Sequence, residues 1–509
     1  MKLRDSTGRR AASSRNLVRR FVPYGCDQLL SIVQATLYSS AGNGYAPRHG
    51  SKDNKSLSTQ LPTYLLGHLF TTEEMRAIFS DQRRIQGMLD FESALGRSLA
   101  RVGVVPNATA AAIGSKCDAK LFSMETLAQE AALAGNLAIP MVKQLTALVT
   151  KANEKAGGFV HWGATSQDAI DTGTVLQLRD ALDLVDQALE KLCDAITRIC
   201  ETHKSTLLAG RTWLQQGPPV TLGLKAAGWL AAIERHRERI REIRKRVLVL
   251  QFGGAVGTLA ALGGRGPAVA AALAEELKLA LPNLPWHAHR DRFAEVATTM
   301  GLLVGSLGKI ARDISLMAQT EVGEAAEPAA PGRGGSSTMP QKRNPLGSAV
   351  VLAAAIRVPA LVSVMLTSMV QEHERGLGGW HAEWETLPEI CTLSAGALAH
   401  LTQVLGGLEI NSSKMNANLE ITHGLILAEA VAVALGEKIG RMPAHRIVEK
   451  ASRRAAEHSQ TFLDVLMQDA EVQKYFSAED IKRLLEPRNY TGSAEAMVEK
   501  VLSERKQKR

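Results

Sequence analysis

The sequence predicts an all-α protein built around a bundle of unusually long helices. Aromatic residues make up only 4% of the chain although 45% of it is hydrophobic, so the core must consist mostly of aliphatic side chains. Such a core favours close-packed helices over a β-sandwich or a barrel, in which β-branched and aromatic residues are enriched. After Phe70, apolar residues recur at spacings of three and four, the period of one helix face. We find no convincing pair of strands.

The predicted elements fall into four regions. Residues 1–60 are rich in Ser, Arg and Gly and read as a disordered basic extension. Residues 61–165 form a domain of short helices, the first of which has Thr72 as its N-cap. Residues 166–414 form the central bundle, and residues 415–509 a domain of shorter helices. The bundle prediction depends on long periodic segments at 166–203, 219–251, 291–324, 344–371 and 385–408.

The charge of the chain gives no case for nucleic-acid binding. The net charge is +9, but residues 1–60 hold ten basic and three acidic residues, a net +7. The remaining +2 leaves the body of the protein nearly neutral, so it has no extended basic field.

Cysteine usage and hydropathy exclude further classes of protein. The five cysteines form no CxxC pair and no metal-ligand spacing, which excludes a disulfide scaffold and a zinc ribbon and favours a reducing, cytoplasmic location. The most apolar stretch, residues 349–370, contains Arg357 and Pro359, so we expect no membrane span. We find no clustered His, Asp and Glu ligands, and we expect neither a metal nor an organic cofactor.

The densest break in the helical pattern spans residues 324–345, with the sequence EAAEPAAPGRGGSSTMPQKRNP. A loop of this length inside a bundle is uncommon unless it is functional. Its glycines allow turns that direct several N–H groups toward one point. A hydroxyl pair, a cation and an amide come from Ser336, Ser337, Lys342 and Asn344, and together they suit an anionic substrate and a developing carbanion. A plain Gly/Ser linker is the alternative.

Three segments resemble the fumarase/aspartase superfamily. GSSTMPQKRNP (335–345) is similar to its signature loop, HWGATSQDAIDT (161–172) to its first conserved region, and GRTWLQQGPPVTLG (210–223) to its second. The resemblance covers roughly residues 65–500. It implies an all-α subunit of three domains, a homotetramer in which the central helices of four subunits pack together, and active sites that each draw on three subunits.

The resemblance also implies a role for particular residues. Ser336 is the base, and Lys342 assists it. The substrate-binding residues are expected to be His161, Thr165, Ser166, Arg211, Thr212, Gln215, Ser337, Met339, Asn344 and Arg375. Thr165 and Ser166 also precede a long predicted helix, whose N-terminal N–H groups favour a carboxylate, although an ordinary N-cap would have the same sequence.

Two departures from the superfamily pattern favour its cycloisomerase branch. Trp213 stands where the lyases have a proton-relaying histidine, and Ala349 stands where they have its glutamate partner. The paired loss indicates a reaction that does not need that acid. Resemblance to the cycloisomerase branch implies such a reaction, in which a carboxylate of the substrate, a small tricarboxylate, adds across a C=C bond and closes a lactone. That leaving group needs little protonation, whereas an amine or hydroxide needs a general acid. The alternatives are a β-elimination lyase similar to adenylosuccinate lyase and, more remotely, a non-catalytic helical scaffold.

Overall fold

The computed structural model describes residues 64–332, 334–335 and 337–508. The basic segment 1–60 and the proposed base Ser336 therefore lie outside the described residues. The described chain is almost entirely helical, as the sequence predicts, and the all-α fold class is confirmed.

Within the described residues, seven α-helices precede the bundle. They are α1 (Tyr64–Phe70), α2 (Glu73–Ile78), α3 (Asp81–Arg101), α4 (Asn107–Gly114), α5 (Met124–Ala134), α6 (Ala138–Ala152) and α7 (Glu154–Gly157). The predicted N-cap is confirmed, because the Thr72 hydroxyl accepts a hydrogen bond from the Met75 N–H at 3.3 Å. The helix that it caps is short, since Ser80 caps a new helix two residues after Ile78.

The central region contains the predicted long helices. Its helices are α8 (Ser166–Thr202), α9 (Leu222–Val247), α10 (Gly266–Leu277), α11 (Asp291–Met317), α12 (Leu346–Thr367) and α13 (Gly379–Gly406). The 37 residues of α8 span about 55 Å at 1.5 Å per residue. Its predicted core positions, from Leu178 through Leu189 to Ile199, are buried. Each such side chain contributes about 1.5–3 kcal/mol by leaving water.

Helices α3 and α8 approach one another at backbone distance. A Cβ atom on Gly87 of α3 would lie 2.9 Å from the Gly173 carbonyl oxygen of α8, so only glycine fits at this crossing. The close approach holds the first half of α3 against the N-terminal half of α8, where the first conserved segment enters the helix.

The expectation that the chain has no strand pair is wrong. Strand β1 (Leu207–Thr212) pairs antiparallel with β2 (Gln215–Thr221), and a second short pair joins β3 (Ala325–Ala326) to β4 (Glu409–Ile410). The turn residues Trp213 and Leu214 both have positive φ, 54° and 64°, as a two-residue hairpin turn of the primed type requires. Two prolines in β2 and a turn without glycine hide this hairpin from sequence patterns.

Shorter helices complete the chain. They are α14 (Ser412–Leu419), α15 (Ala428–Ile439), α16 (Arg441–Glu457), α17 (Phe462–Gln468), α18 (Ala470–Gln473), α19 (Ala478–Leu484) and α20 (Ala494–Lys508). Leu435, Phe462 and Leu466 lie at the centre of a separate apolar cluster in this region, whereas α20 returns to pack against α9. The proposed boundaries at residues 165 and 414 stay a prediction.

Helix α12 is unusually apolar and poorly covered. By length and composition both α11 and α12 could cross a membrane, and helices in the core of a bundle meet the same criteria. The most apolar part of α11 is 61% buried, but that of α12, with a mean hydropathy of 2.3, is only 33% buried within the subunit. Ile356, near the middle of α12, is 76% exposed. Contiguous uncovered apolar surface is typical of faces that contact another molecule.

Candidate active site

The N-terminus of α8 is organised around the buried carboxylate of Asp168. Its oxygens accept hydrogen bonds from the backbone N–H groups of Thr165, Gly253 and Gly254 at 2.9–3.1 Å. The Gln251 amide donates at 3.0 Å, and the His287 Nε2 lies 2.8 Å away. This carboxylate therefore fixes the start of α8 against two distant segments of the chain.

Arg375 closes over the same helix terminus. Its Nη1 donates to the Thr165 hydroxyl at 2.8 Å, and its Nε donates to the Gln167 Oε1 at 3.3 Å. Ser166 lies between these two residues and is half-buried. The structure thus brings together Thr165, Ser166 and Arg375 from two segments of the sequence, and a cation stands beside helix N–H groups that favour an anion.

His161, on the segment that leads into α8, is paired with a carboxylate that sequence analysis did not identify. Its Nδ1 lies 2.5 Å from the Glu92 Oε1 of α3. Burial alone would lower the pKa of His161, but the charge and the hydrogen bond of Glu92 outweigh burial and raise it. The imidazole is therefore held toward its charged form.

A layer of buried charge supports this end of α8. Arg290 donates to both carboxylate oxygens of Asp171 and of Glu383, at 2.5–3.1 Å. Its guanidinium lies 5.0 Å from the ring centre of Trp286. The two carboxylates outweigh burial and raise the pKa of Arg290. This hydrogen-bonded network ties α8 to α13.

The hairpin carries the second group of predicted residues. The two Nη atoms of Arg211 donate to the two oxygens of Glu324 at 2.9 and 2.6 Å, and Glu324 is fully buried. Asn418 donates to the same carboxylate at 2.8 Å. Thr212 and Gln215 are exposed at the end of the hairpin. Arg211 therefore holds the hairpin to the base of the signature loop.

A cleft of about 690 Å³ opens beside the hairpin, lined by residues that include Arg211, Lys225, Trp229 and Lys309. Lys309 is paired with Asp313, and burial lowers the pKa of the Lys225 ammonium. The cleft combines apolar walls with basic groups, the character of a site for a small organic anion.

The signature loop presents its polar residues to solvent. Ser337, Met339 and Lys342 are exposed, and Asn344 is half-buried with its N–H donating to the Gly334 carbonyl at 2.9 Å. Gly334 has a φ of 64°, and a Cβ atom there would lie 2.6 Å from the Asn344 carbonyl oxygen. This glycine is therefore required for the close return of the loop.

The base of the loop is anchored more firmly. The Glu327 carboxylate accepts from the N–H groups of Gly347 and Ser348 in the first turn of α12, at 2.9 and 2.7 Å. A carboxylate at a helix N-terminus is favoured by the helix dipole as well as by these bonds. Ala349 lies exposed in the same turn, so it offers no carboxylate of its own.

The predicted residues form three groups, which lie at the α8 N-terminus, the hairpin and the loop. Arg375 with Thr165 is the one pair of predicted residues joined by a hydrogen bond between side chains in the described part of the chain. No hydrogen bond of the described residues joins a predicted residue of one group to a predicted residue of another. All of their assigned roles stay predictions.

Comparison with known proteins identifies the family. The sequence model of a family described as lyase matches residues 69–360, and that of the adenylosuccinate lyase C-terminus matches residues 424–501. The 3-carboxy-cis,cis-muconate cycloisomerase of Pseudomonas aeruginosa is 56% identical over 435 residues, 86% of this chain and 95% of the relative. That of Bradyrhizobium diazoefficiens is 48% identical over 438 residues, 86% of this chain and 97% of the relative.

A solved structure agrees with these sequence matches. The crystal structure of 3-carboxy-cis,cis-muconate lactonizing enzyme from Pseudomonas putida superposes with a TM-score of 0.83 at 50% identity, covering 87% of this chain and 99% of that one. The chain belongs to the lyase family of the fumarase/aspartase superfamily. It is therefore an enzyme that acts on a small molecule, and the family assignment made from the three sequence segments is confirmed.

Sequence analysis of this lyase missed the carboxylates that hold the site residues. Glu92 and Glu324 lie 69 and 113 residues from the residues that they bind. Neither lies within the three segments that resemble the superfamily, although Glu324 begins the predicted loop, and a single sequence contains no signal for such a contact. Asp168 is not among the predicted site residues either.

We expect Arg211→Ala to destabilise this lyase, because Glu324 would remain buried with Asn418 as its remaining side-chain donor. Loss of one partner of a buried ion pair costs roughly 3 kcal/mol, measured by urea unfolding. Thr212→Ala, at an exposed neighbouring position, is the matched control and should change stability by less than about 0.5 kcal/mol.

Adding Glu324→Gln to the Arg211→Ala variant removes the unpaired charge and should restore most of the stability. If the KM of this double variant is higher than that of wild type, Arg211 contacts substrate as well. Unchanged stability in Arg211→Ala would contradict the structural role of the ion pair.

Proposed function

We propose that this enzyme interconverts 3-carboxy-cis,cis-muconate and a carboxymuconolactone. A carboxylate of the substrate adds across a C=C bond of the same molecule, and the reverse reaction expels it. The observation that carries the proposal is the identity of 56% with a 3-carboxy-cis,cis-muconate cycloisomerase along 95% of that relative. The chemistry of positions 213 and 349 supports it independently.

Neither of these two positions offers a group for proton relay. Trp213 is 97% exposed at the tip of the hairpin, and an indole N–H only donates a hydrogen bond and does not titrate in the ordinary pH range. Ala349 carries no ionisable group. Lyases that expel an amine or hydroxide gain about 10²–10⁴-fold from a general acid, whereas a departing carboxylate is stable as an anion. The site therefore fits lactone chemistry better than β-elimination of an amine.

Three groups of residues would meet the three carboxylates of the substrate. Thr165, Ser166 and Arg375 supply helix N–H groups and a guanidinium at the start of α8. The exposed Thr212 and Gln215 supply hydrogen bonds at the hairpin, with Arg211 held behind them by Glu324. Lys342 and Asn344, with Ser337 and Met339, would hold the carboxylate on which negative charge develops.

Ser336 would move the proton. In the elimination direction it removes a proton from carbon to give a carbanion stabilised as an aci-carboxylate, and in cyclisation it returns the proton. A serine hydroxyl is too weak for this unless its alkoxide is stabilised by loop N–H groups and by the Lys342 ammonium. Lys342 is exposed on the same loop. The mechanism uses no metal or organic cofactor.

The active enzyme is proposed to be a homotetramer whose sites each combine residues of three subunits. The uncovered apolar face of α12, centred on Ile356, supports a partner surface, and the family resemblance supports further copies of this chain as that partner. The separation of the three groups of site residues within one subunit fits the same assembly.

We place this enzyme in the cytoplasm. The four cysteines of the described chain are unpaired thiols, three of them buried, which is typical of a reducing compartment. Burial raises the pKa of the Cys391 thiol to about 12, so it is an inert core residue without a catalytic role.

The proposed activity is tested by absorbance assays of the purified enzyme with 3-carboxymuconate, fumarate and adenylosuccinate in parallel. We expect turnover of 3-carboxymuconate alone, and the same rate after treatment with EDTA. Turnover of adenylosuccinate or fumarate would establish a β-elimination lyase instead. Absence of turnover with all three would favour the scaffold alternative.

Ser336→Ala should lower turnover by roughly 10²–10⁴-fold with little change in KM, since a proton-transfer group acts mainly in the transition state. Lys342→Ala should lower turnover and also raise KM, because its charge is used in both states. Ser337→Ala is the matched control and should keep more than about a tenth of the activity. If Ser336→Ala keeps that much instead, Ser336 is not the base.

Trp213→His should not create fumarase activity, because Ala349 cannot polarise the new imidazole.

Light scattering of the wild-type enzyme should give four times the chain mass of 54.7 kDa. Ile356→Glu should produce smaller species with little activity, because a charge in the apolar face of α12 would be buried unpaired. Leu133→Glu, at a position 92% exposed outside the bundle, is the control and should remain tetrameric. A tetramer that survives Ile356→Glu would show that this face lies outside the interface.

A further inference from the structure

His161 is one of the predicted substrate-binding residues, but no role has been assigned to its partner Glu92, and the pair is built at a cost. Glu92 is 1% exposed in the middle of α3. His161 has a φ of 59°, a backbone conformation that costs a non-glycine residue of order 1–3 kcal/mol. The structure maintains both a buried carboxylate and a strained backbone to bring these side chains to 2.5 Å.

The charge on the pair follows from its surroundings. Glu92 Oε2 is buried and has no hydrogen-bond partner, so His161 is the one described side chain that compensates this carboxylate. An ionised carboxylate out of water requires a paired charge, which here is the imidazolium. The pKa of His161 is raised, which also favours the imidazolium.

Neighbouring elements reinforce the imidazolium. Asp168, at the start of α8, adds a second negative charge that raises the pKa of His161. Cys117 is another titratable neighbour of Glu92, and burial raises the pKa of its thiol, so this thiol stays neutral. The described residues near His161 thus favour its charged form, and its Nε2–H has no hydrogen-bond partner among them.

We propose that Glu92 is a positioning residue that fixes His161 as an imidazolium, whose Nε2–H donates to one carboxylate of the substrate beside the N-terminus of α8. The inference rests on the proposed function for the identity of the substrate. Glu92 and His161 together are neutral, so they can remain charged in the empty site. They contribute one directed, charge-assisted hydrogen bond when an anion arrives.

This pair differs from the His–Glu pair that is missing at positions 213 and 349. A relay must lose and regain its proton at working pH, and a raised pKa opposes that loss. Glu92 and His161 are therefore suited to binding and not to proton transfer. Their removal should change KM more than turnover, because an interaction made in both ground and transition states mainly sets binding.

The experiment compares wild type with Glu92→Gln in two measurements. In the first, nitrogen NMR of histidine-labelled enzyme without substrate follows the titration of His161, assigned with His161→Asn. We expect His161 in wild type to titrate above its ordinary value of about 6.5 and in Glu92→Gln below it, since glutamine leaves burial unopposed.

In the second measurement, KM is followed between pH 6 and 8. In wild type the KM should stay low to a higher pH than in the variant, because Glu92 raises the pKa of His161. In Glu92→Gln the KM should rise as pH increases. At pH 8 the rise should be roughly 10- to 100-fold, the loss of affinity expected when one hydrogen bond to a charged group is lost. Turnover at saturation should change less than threefold.

Glu276→Gln is the control. It removes a partner of Arg97 on the same helix α3 and should leave both measurements unchanged. If wild-type His161 titrates at or below its ordinary value, or if Glu92→Gln lowers turnover without changing KM, the inference is overturned. The NMR titration needs neither activity nor the variant's folding, so it decides the charge of His161 even if 3-carboxymuconate is not the substrate.

Discussion

The desolvated carboxylate of Asp168 is the interaction on which the rest of the site depends. It joins the start of α8 to the backbone of Gly253 and Gly254 and to the side chain of His287. An anion with so many donors is inexpensive to bury, because hydrogen bonds to the charged form replace water. Once Asp168 is fixed, the N–H groups of the first turn of α8 cannot be reoriented. Arg375 can then meet the Thr165 hydroxyl at a defined place.

The buried ion pairs of this enzyme fix the positions of its elements more than they add to its stability. Replacing an ion pair in a protein core with apolar residues of similar volume is often neutral or stabilising, whereas removal of one partner is severe. Arg290 with Asp171 and Glu383, and Arg211 with Glu324, are of this kind. Each joins elements far apart in sequence, and each lies directly behind a predicted substrate contact. Their consequence is that the elements carrying the predicted substrate contacts are held at fixed positions.

The sequence predicted those features that depend on local pattern. The long helices were predictable because an apolar face at a period of 3.6 repeats over 20 to 40 residues, and α8 begins at Ser166 as expected. The hairpin was not predictable, because Pro218 and Pro219 are unfavourable in a strand and its turn has no glycine. Contacts between residues far apart in sequence, such as that of Arg211 with Glu324, could not be predicted from the sequence either. A motif shows that an arginine is present, but not which carboxylate the fold brings to it.

Charge and proton transfer are divided between different parts of this site. The superfamily pattern combines them in one histidine, but here that position is Trp213, and a titratable histidine lies instead at His161 with a buried carboxylate behind it. A lactone-forming enzyme gains from this division, because its substrate brings three negative charges and expels only a carboxylate. Permanent cations and helix N–H groups then lower the energy of the bound anion, and no acid on the hairpin has to match the pH. In the proposed mechanism, proton transfer falls to the signature loop, where the exposed Lys342 would stabilise an alkoxide.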